Sequence, residues 1–219
     1  MNYTALSNAI QAYTENTEAD FVANIPVFVT QAEQRIFNSV QFPSLRQNVT
    51  GVTTTNNKYL QCPTAFLAVY SLAIINASGE YEYLLNKDVN FIRQAYPQPT
   101  DTGIPRYYAL FGPRSDNAAE LTFILGPTPD AAYGAELHYF FDPPSITVSP
   151  YTSWLGDNFD PVLLYGSLVE AYTYMKGEAD MMALYNGKYQ EALALAKRLG
   201  DGMERQDAYR SGQYRQAVT

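Results

Sequence analysis

The 219-residue chain has a single cysteine and a single histidine. One cysteine, Cys62, excludes an internal disulfide framework. It lies in YLQCPTAF among apolar neighbours and reads as a small buried hydrophobe rather than a nucleophile. One histidine, His138, cannot join one cysteine to build the usual zinc ligand sets. No G-x-S-x-G elbow accompanies it, so nucleophilic catalysis of the Ser-His type is not expected. Phosphate-cradling G-x-x-x-x-G-K-[ST] loops and G-x-G-x-x-G turns are missing, and no cofactor is expected. No apolar run approaches the roughly 18 residues that cross a bilayer. The N-terminus lacks a basic stretch followed by an apolar one, so synthesis in a cytoplasm is expected. Cations are scarce too. Fourteen Lys and Arg against 22 Asp and Glu leave a formal charge of −8. That balance argues against a dedicated nucleic-acid binder and against an anionic membrane as partner.

The chemistry left over is that of paired carboxylates, which can cleave a glycosidic bond. Glu80 and Glu82 on a hairpin, or Glu120 and Glu136 on strands, are the available pairs. A polysaccharide- or peptidoglycan-cleaving enzyme could use them, but solvated strand charges are the plainer reading, and no enzyme is expected. What the chain has in excess is tyrosine, 19 copies beside 11 Phe. Tyrosine joins a large ring to a polar tip, which suits half-buried sheets and subunit interfaces. A carbohydrate-binding module that stacks such rings on sugars is a further alternative.

Periodicity divides the chain. YTALSNAIQAYT, residues 3 to 14, predicts a short amphipathic helix with Tyr3, Leu6, Ala9, Ile10 and Tyr13 inward. After the acidic connector ENTEAD, Asn24 can cap a second helix with Pro26 in its first turn. In IPVFVTQAEQRIFNSV, residues Ile25, Phe28, Val29, Ala32, Ile36 and Val40 form one stripe. Glu33, Gln34 and Arg35 lie on the opposite, polar face.

The character then turns to strand. FLAVYSLAII reads as a buried strand from its β-branched and aromatic members, and NASGEYEYLL as a hairpin at Ser78-Gly79. GIPRYYALFG, ELTFILGP and YGAELHYFF are three more strands. The last places Leu137, Tyr139 and Phe141 on one side and Glu136, His138 and Phe140 on the other. An antiparallel sheet or small sandwich follows.

Helices return at Asp160-Pro161, with Leu164, Leu168, Ala171 and Met175 on one stripe and Gly177 as the stop. The last long helix places Met181, Leu184, Tyr185, Tyr189, Ala192, Leu195 and Leu199 inward and ends at Gly200. The expected fold is α+β: a four-helix bundle formed by N- and C-terminal helix pairs, with an inserted antiparallel β-rich domain. The divisions are residues 1–43 (first helix pair), 44–150 (β-rich insertion), 151–202 (second pair) and 203–219 (an extended, flexible C-terminal arm). That arm, DGMERQDAYRSGQYRQAVT from residue 201, has no long apolar stripe and carries Arg205, Tyr209, Arg210, Tyr214 and Arg215. Tyr and Arg are effective interface anchors.

Several segments in this order resemble the head-to-tail adaptor (connector) proteins of tailed bacteriophages, including the tail-tubular-A type of short-tailed phages. They are IPVFVTQAEQRI with its Ala-Glu-x-Arg-Ile core, GIPRYYALFG, LTFILGPTPDAAYGAELHYFFDPP and DPVLLYGSLVEAYTYMKGEADMMALYNGKYQEALALA. The resemblance implies a structural virion protein at the head–tail junction, made in the host cytoplasm. It implies a homo-oligomeric ring, usually of twelve, below the portal protein, carrying a downstream tail or nozzle protein. DNA would pass through the channel without specific binding, and no membrane is involved. The arm would dock on the portal, which by position and composition falls on Arg205, Tyr209, Arg210, Tyr214 and Arg215. In such a ring Glu33, Gln34 and Arg35 become candidates for the contact between neighbours.

Overall fold

The computed structural model describes residues 1–40, 42, 45–112 and 121–211, with side chains described as far as residue 200. The described residues form six helices and two sheets, an α+β fold. The chain divides into two compact units, one of residues Met1–Ser44 with Pro144–Thr219 and one of Leu45–Pro143.

In the first unit, Asn2 caps helix α1 (Tyr3–Thr14), its Oδ1 accepting from the Ala5 N–H at 2.9 Å, and Leu6 and Ile10 are buried. Helix α2 (Ala19–Ser39) begins before Asn24, so Pro26 lies inside it rather than in its first turn. Packing explains the difference. Phe21 is buried against Phe28, ring centroids 5.7 Å apart, and Ile25 is buried beside them. Two such side chains are worth about 3–6 kcal/mol together, enough to offset the roughly 3 kcal/mol cost of an internal proline.

After α4 (Trp154–Asn158), α5 (Asp160–Met175) is the hub, packed against α1, α2, α4 and α6 (Ala179–Ser211). This explains why burial wraps around α5 at Val162, Leu163, Leu164, Gly166, Ser167, Leu168 and Ala171 instead of following one stripe. At Gly166 the approach to both α2 and α6 is close. A Cβ there would stand 3.2 Å from Ala32 Cβ on α2 and 3.2 Å from Tyr189 Cε2 on α6.

The stop of α5 also differs from expectation. Lys176, not Gly177, takes the left-handed conformation, φ 54° and ψ 41°. Gly177 is needed for space: its N–H bonds Tyr172 O at 2.9 Å, and a Cβ would lie 2.6 Å from Tyr172 Cδ1. Helix α6 does not stop at Gly200 but continues to Ser211. A glycine inside a helix costs about 1 kcal/mol relative to alanine, and extending an existing helix is far cheaper than nucleating one. Residues 203–211 are therefore helical, where an extended arm was expected.

The second unit is a sandwich with a helix on one side. Its strands are β1 (Arg46–Val52), β2 (Tyr59–Gln61), β3 (Phe66–Ile75), β4 (Tyr81–Tyr83), β5 (Leu85–Asn86), β6 (Tyr107–Phe111), β7 (Thr122–Gly126) and β8 (Gly134–Phe141). One four-stranded sheet has the order β1-β8-β3-β4, the other β2-β7-β6-β5. All pairs are antiparallel except the short β5–β6 pair. Leu72, Ile74, Leu137 and Tyr139 of the first sheet meet Tyr108, Phe123 and Leu125 of the second. Helix α3 (Val89–Ala95) lays Ile92 on Ala109 and Ile124, covering the second sheet's other face, so β7 is buried at every residue. The alternation expected for β8 holds, with Leu137 and Tyr139 inward and Glu136, His138 and Phe140 outward.

Candidate assembly surfaces

On α2 the polar face is only partly a surface. Glu33 is 3% exposed, and its Oε1 accepts the Ile146 N–H at 3.0 Å. The reading of Glu33 as a solvated or neighbour-facing residue is corrected: its carboxylate holds the 144–150 segment against α2. Periodicity missed this because a carboxylate can be buried where it accepts a backbone N–H. Gln34 is exposed. Arg35 is half-exposed and ion-pairs with Glu170 of α5, while its guanidinium lies 5.9 Å from the Tyr189 ring centroid on α6. It is tied across three helices. Burial pushes the Tyr189 phenol pKa up, and the Arg35 charge opposes the shift.

Helix α6 has two apolar stripes where the sequence suggested one. Tyr185, Tyr189, Leu193, Ala196 and Gly200 are buried, a run of steps of three and four residues. Leu184, Leu195 and Leu199, expected inward, are 52%, 58% and 46% exposed. At 100° per residue Leu184 and Leu195 fall within about 20° of each other, with the Lys188–Glu191 pair (3.4 Å) between them.

The outer face of the first sheet carries a polar row flanked by rings. Ser71 Oγ lies 3.3 Å from His138 Nδ1, and His138 Nε2 lies 3.4 Å from Glu136 Oε1. A hydrogen bond to Glu136 raises the Tyr81 phenol pKa. Arg46 stands over Tyr70 at 5.2 Å and over Phe140 at 5.3 Å. The row has the order serine, histidine, carboxylate, but Ser71 and His138 are register partners in the β3–β8 ladder. Their backbone N–H groups lie along the sheet and cannot polarise a carbonyl above it. Glu80 accepts from Asn76 Nδ2 at 2.9 Å in the hairpin turn, Glu82 pairs in register with Ile74, and Glu120 lies outside the described residues. Beneath β1, an apolar cavity of about 280 Å³ opens between β1 and β2, lined by Val49, Leu60, Cys62, Leu72, Phe123 and Leu137. Burial pushes the Cys62 thiol up to about 12. It is a core residue.

Two units thus present exposed apolar and aromatic surfaces around well-formed cores. The sequence model of the SU10 adaptor protein family matches residues 1–216. The chain belongs to the SU10 adaptor protein family. It is a structural bacteriophage adaptor, a component of the virion, in a family that is structural rather than enzymatic. No curated protein matches it by sequence. Among the described residues of this adaptor, no helix is long and apolar enough to cross a membrane, and no group of three metal-binding side chains comes together. Of the five arm residues, Arg205, Tyr209 and Arg210 lie in the helical stretch that ends at Ser211, while Tyr214 and Arg215 lie outside the described residues.

Proposed function

We propose that this SU10 adaptor forms a ring of identical subunits, twelve in number, that joins the portal to the downstream tail or nozzle protein and extends the DNA channel. The observation that carries the reading is the second apolar stripe of α6. Leu184, Leu195 and Leu199 are not used by the helix's own core, and with the Lys188–Glu191 pair between them they make a mixed apolar and charged face suited to docking. In this reading α1, α2, α5 and α6 act as a four-helix bundle of the tail-tubular-A kind, set side by side around the ring. Gln34 lies at the contact between neighbours. The C-terminal residues Arg205, Tyr209, Arg210, Tyr214 and Arg215 form the portal-binding arm. An acidic body, −8 overall, lets DNA pass without adhering.

Mixing the purified protein with its cognate portal, followed by light scattering and electron microscopy, tests the reading. Rings on the portal are expected. Absence of association at micromolar concentrations refutes it. A second reading, a carbohydrate-binding tail module, is favoured by one observation: Tyr81 and Tyr83 are exposed, with centroids 6.5 Å apart and planes 27° apart. Binding of a host polysaccharide that Tyr83→Ala abolishes would support it.

A further inference from the structure

The four sheet edges of the second unit are unequal. An open edge strand offers unpaired N–H and C=O groups, and proteins blunt such edges with short strands, prolines, bulges or charges. In the second sheet β2 has three residues and is followed closely by Pro63, and β5 has two residues. In the first sheet β1 runs for seven residues, RQNVTGV, without proline, with no charge after Arg46, and exposed from Gln47 to Val52. The opposite edge is β4, with Tyr81 and Tyr83 exposed.

The ladder fixes which backbone groups face outward. Thr53 N–H bonds Tyr133 O at 2.9 Å, and the β1–β8 register continues from that pair. By the alternation of antiparallel ladders, Gln47, Val49 and Gly51 bond β8, while Asn48, Thr50 and Val52 point their backbone groups away from it. At the other edge, Leu84 N–H bonds Leu72 O at 2.9 Å and Asn76 N–H bonds Glu80 O at 3.0 Å. The same alternation turns the backbone of Tyr81 and Tyr83 outward.

We propose, resting on the ring reading above, that β1 of one copy pairs antiparallel with β4 of the next, joining the first sheets of neighbours. Two observations converge on a second copy as the occupant. The sheet has four strands, each antiparallel to its neighbour, so placing copies head to tail sets β1 beside β4 in antiparallel sense. The outward-facing residues at both edges have side chains on the same outer face: Asn48, Thr50 and Val52 follow Glu136 and His138 across the register, and Tyr81 reaches Glu136. The joined sheet therefore keeps one continuous outer face and sets Tyr81 and Tyr83 across from Thr50 and Val52, aromatic against β-branched. A head-to-tail contact of this kind generates a closed ring when its rotation permits.

Two measurements test the pairing. Proline is tolerated on an edge strand where its missing N–H faced solvent. Thr50→Pro should therefore keep the wild-type fold by circular dichroism and lose ring formation on the portal. Amide hydrogen exchange on the wild type needs no variant. On assembly, exchange at Asn48, Thr50, Val52, Tyr81 and Tyr83 should slow by about tenfold or more, while Gln47, Val49 and Gly51 stay as they were. Rings from Thr50→Pro, or edge amides that exchange as fast in rings as in free protein, overturn the edge pairing and leave the ring reading standing. Wild-type protein that never assembles on the portal overturns the ring reading and the pairing with it.

Discussion

Two leucines two residues apart on α6 separate the folding role of that helix from its assembly role. Leu193 is 5% exposed inside the unit, and Leu195 is 58% exposed outside it. Leu193→Ala removes a fully packed side chain next to α5. Such truncations cost about 2–5 kcal/mol, from lost transfer energy and the cavity left behind. Leu195→Ala removes a side chain that is less than half buried. Scaling the roughly 1.5–3 kcal/mol of a fully buried leucine by that fraction leaves about 0.6–1.3 kcal/mol, and alanine's better helix propensity returns a little of it. Urea unfolding followed by circular dichroism should therefore separate the variants by at least about 0.7 kcal/mol, with Leu193→Ala the weaker. Light scattering with the portal should rank them the other way, with Leu195→Ala the poorer assembler at temperatures where both are folded. Equal loss of stability would refute the two-stripe description. Wild-type assembly by Leu195→Ala would remove that stripe from the interface.

Deleting residues 203–219 should leave the thermal melt nearly unchanged and abolish portal binding; an unchanged affinity would show that the arm is not the anchor. Lys176→Gly should stabilise the protein by about 0.5–1 kcal/mol in urea, because the position is left-handed. Gly177→Ala should lower the melting temperature, because the Tyr172 ring occupies the space of the new methyl. Alkaline titration should show stability falling above pH 9. Cys62 and Tyr185 are each pushed up to about 12, above their ordinary values of 9 and 10. The unfolded chain therefore loses those protons first and gains on the folded state until pH passes about 12, so a flat unfolding curve between pH 9 and 12 would contradict the burial. Arg35→Glu should destabilise the subunit itself, since it places a second carboxylate against Glu170. Gln34→Glu leaves that pair intact and is the cleaner probe of the neighbour contact, read as reduced assembly with an unchanged melt.

The alternation in β8 was legible because one sheet face is buried and the other is not, so Leu137 and Tyr139 separate from Glu136 and His138 by period alone. The two stripes of α6 were not, because Leu184 and Leu195 are as apolar as Leu193, and hydropathy cannot tell which partner a stripe meets. Pro26 lies deeper in α2 than the local start signals suggest for a related reason: the local preference for a helix start yields to the burial of Phe21. The Arg35–Glu170–Tyr189 cluster joins three helices distant in sequence, and the Ser71–His138 contact requires the β3–β8 register. Among the proposed assembly residues, Gln34 is exposed as its period suggests, and Glu33 is not, because a backbone N–H from Ile146 draws its carboxylate inward.

Helix α6 has 33 residues and α5, its packing partner, has 16. At 1.5 Å per residue these are rods of about 50 Å and about 24 Å, so about 25 Å of α6 reaches past the end of α5. Mechanically that is a lever with its fulcrum near Gly166, where the Tyr189 ring of α6 lies against the α5 backbone. A rotation of about 10° there would carry the far tip, about 33 Å from Tyr189, through roughly 6 Å, enough to exchange one set of side-chain contacts for another. Strain felt at the tip would return to the hub with the same leverage.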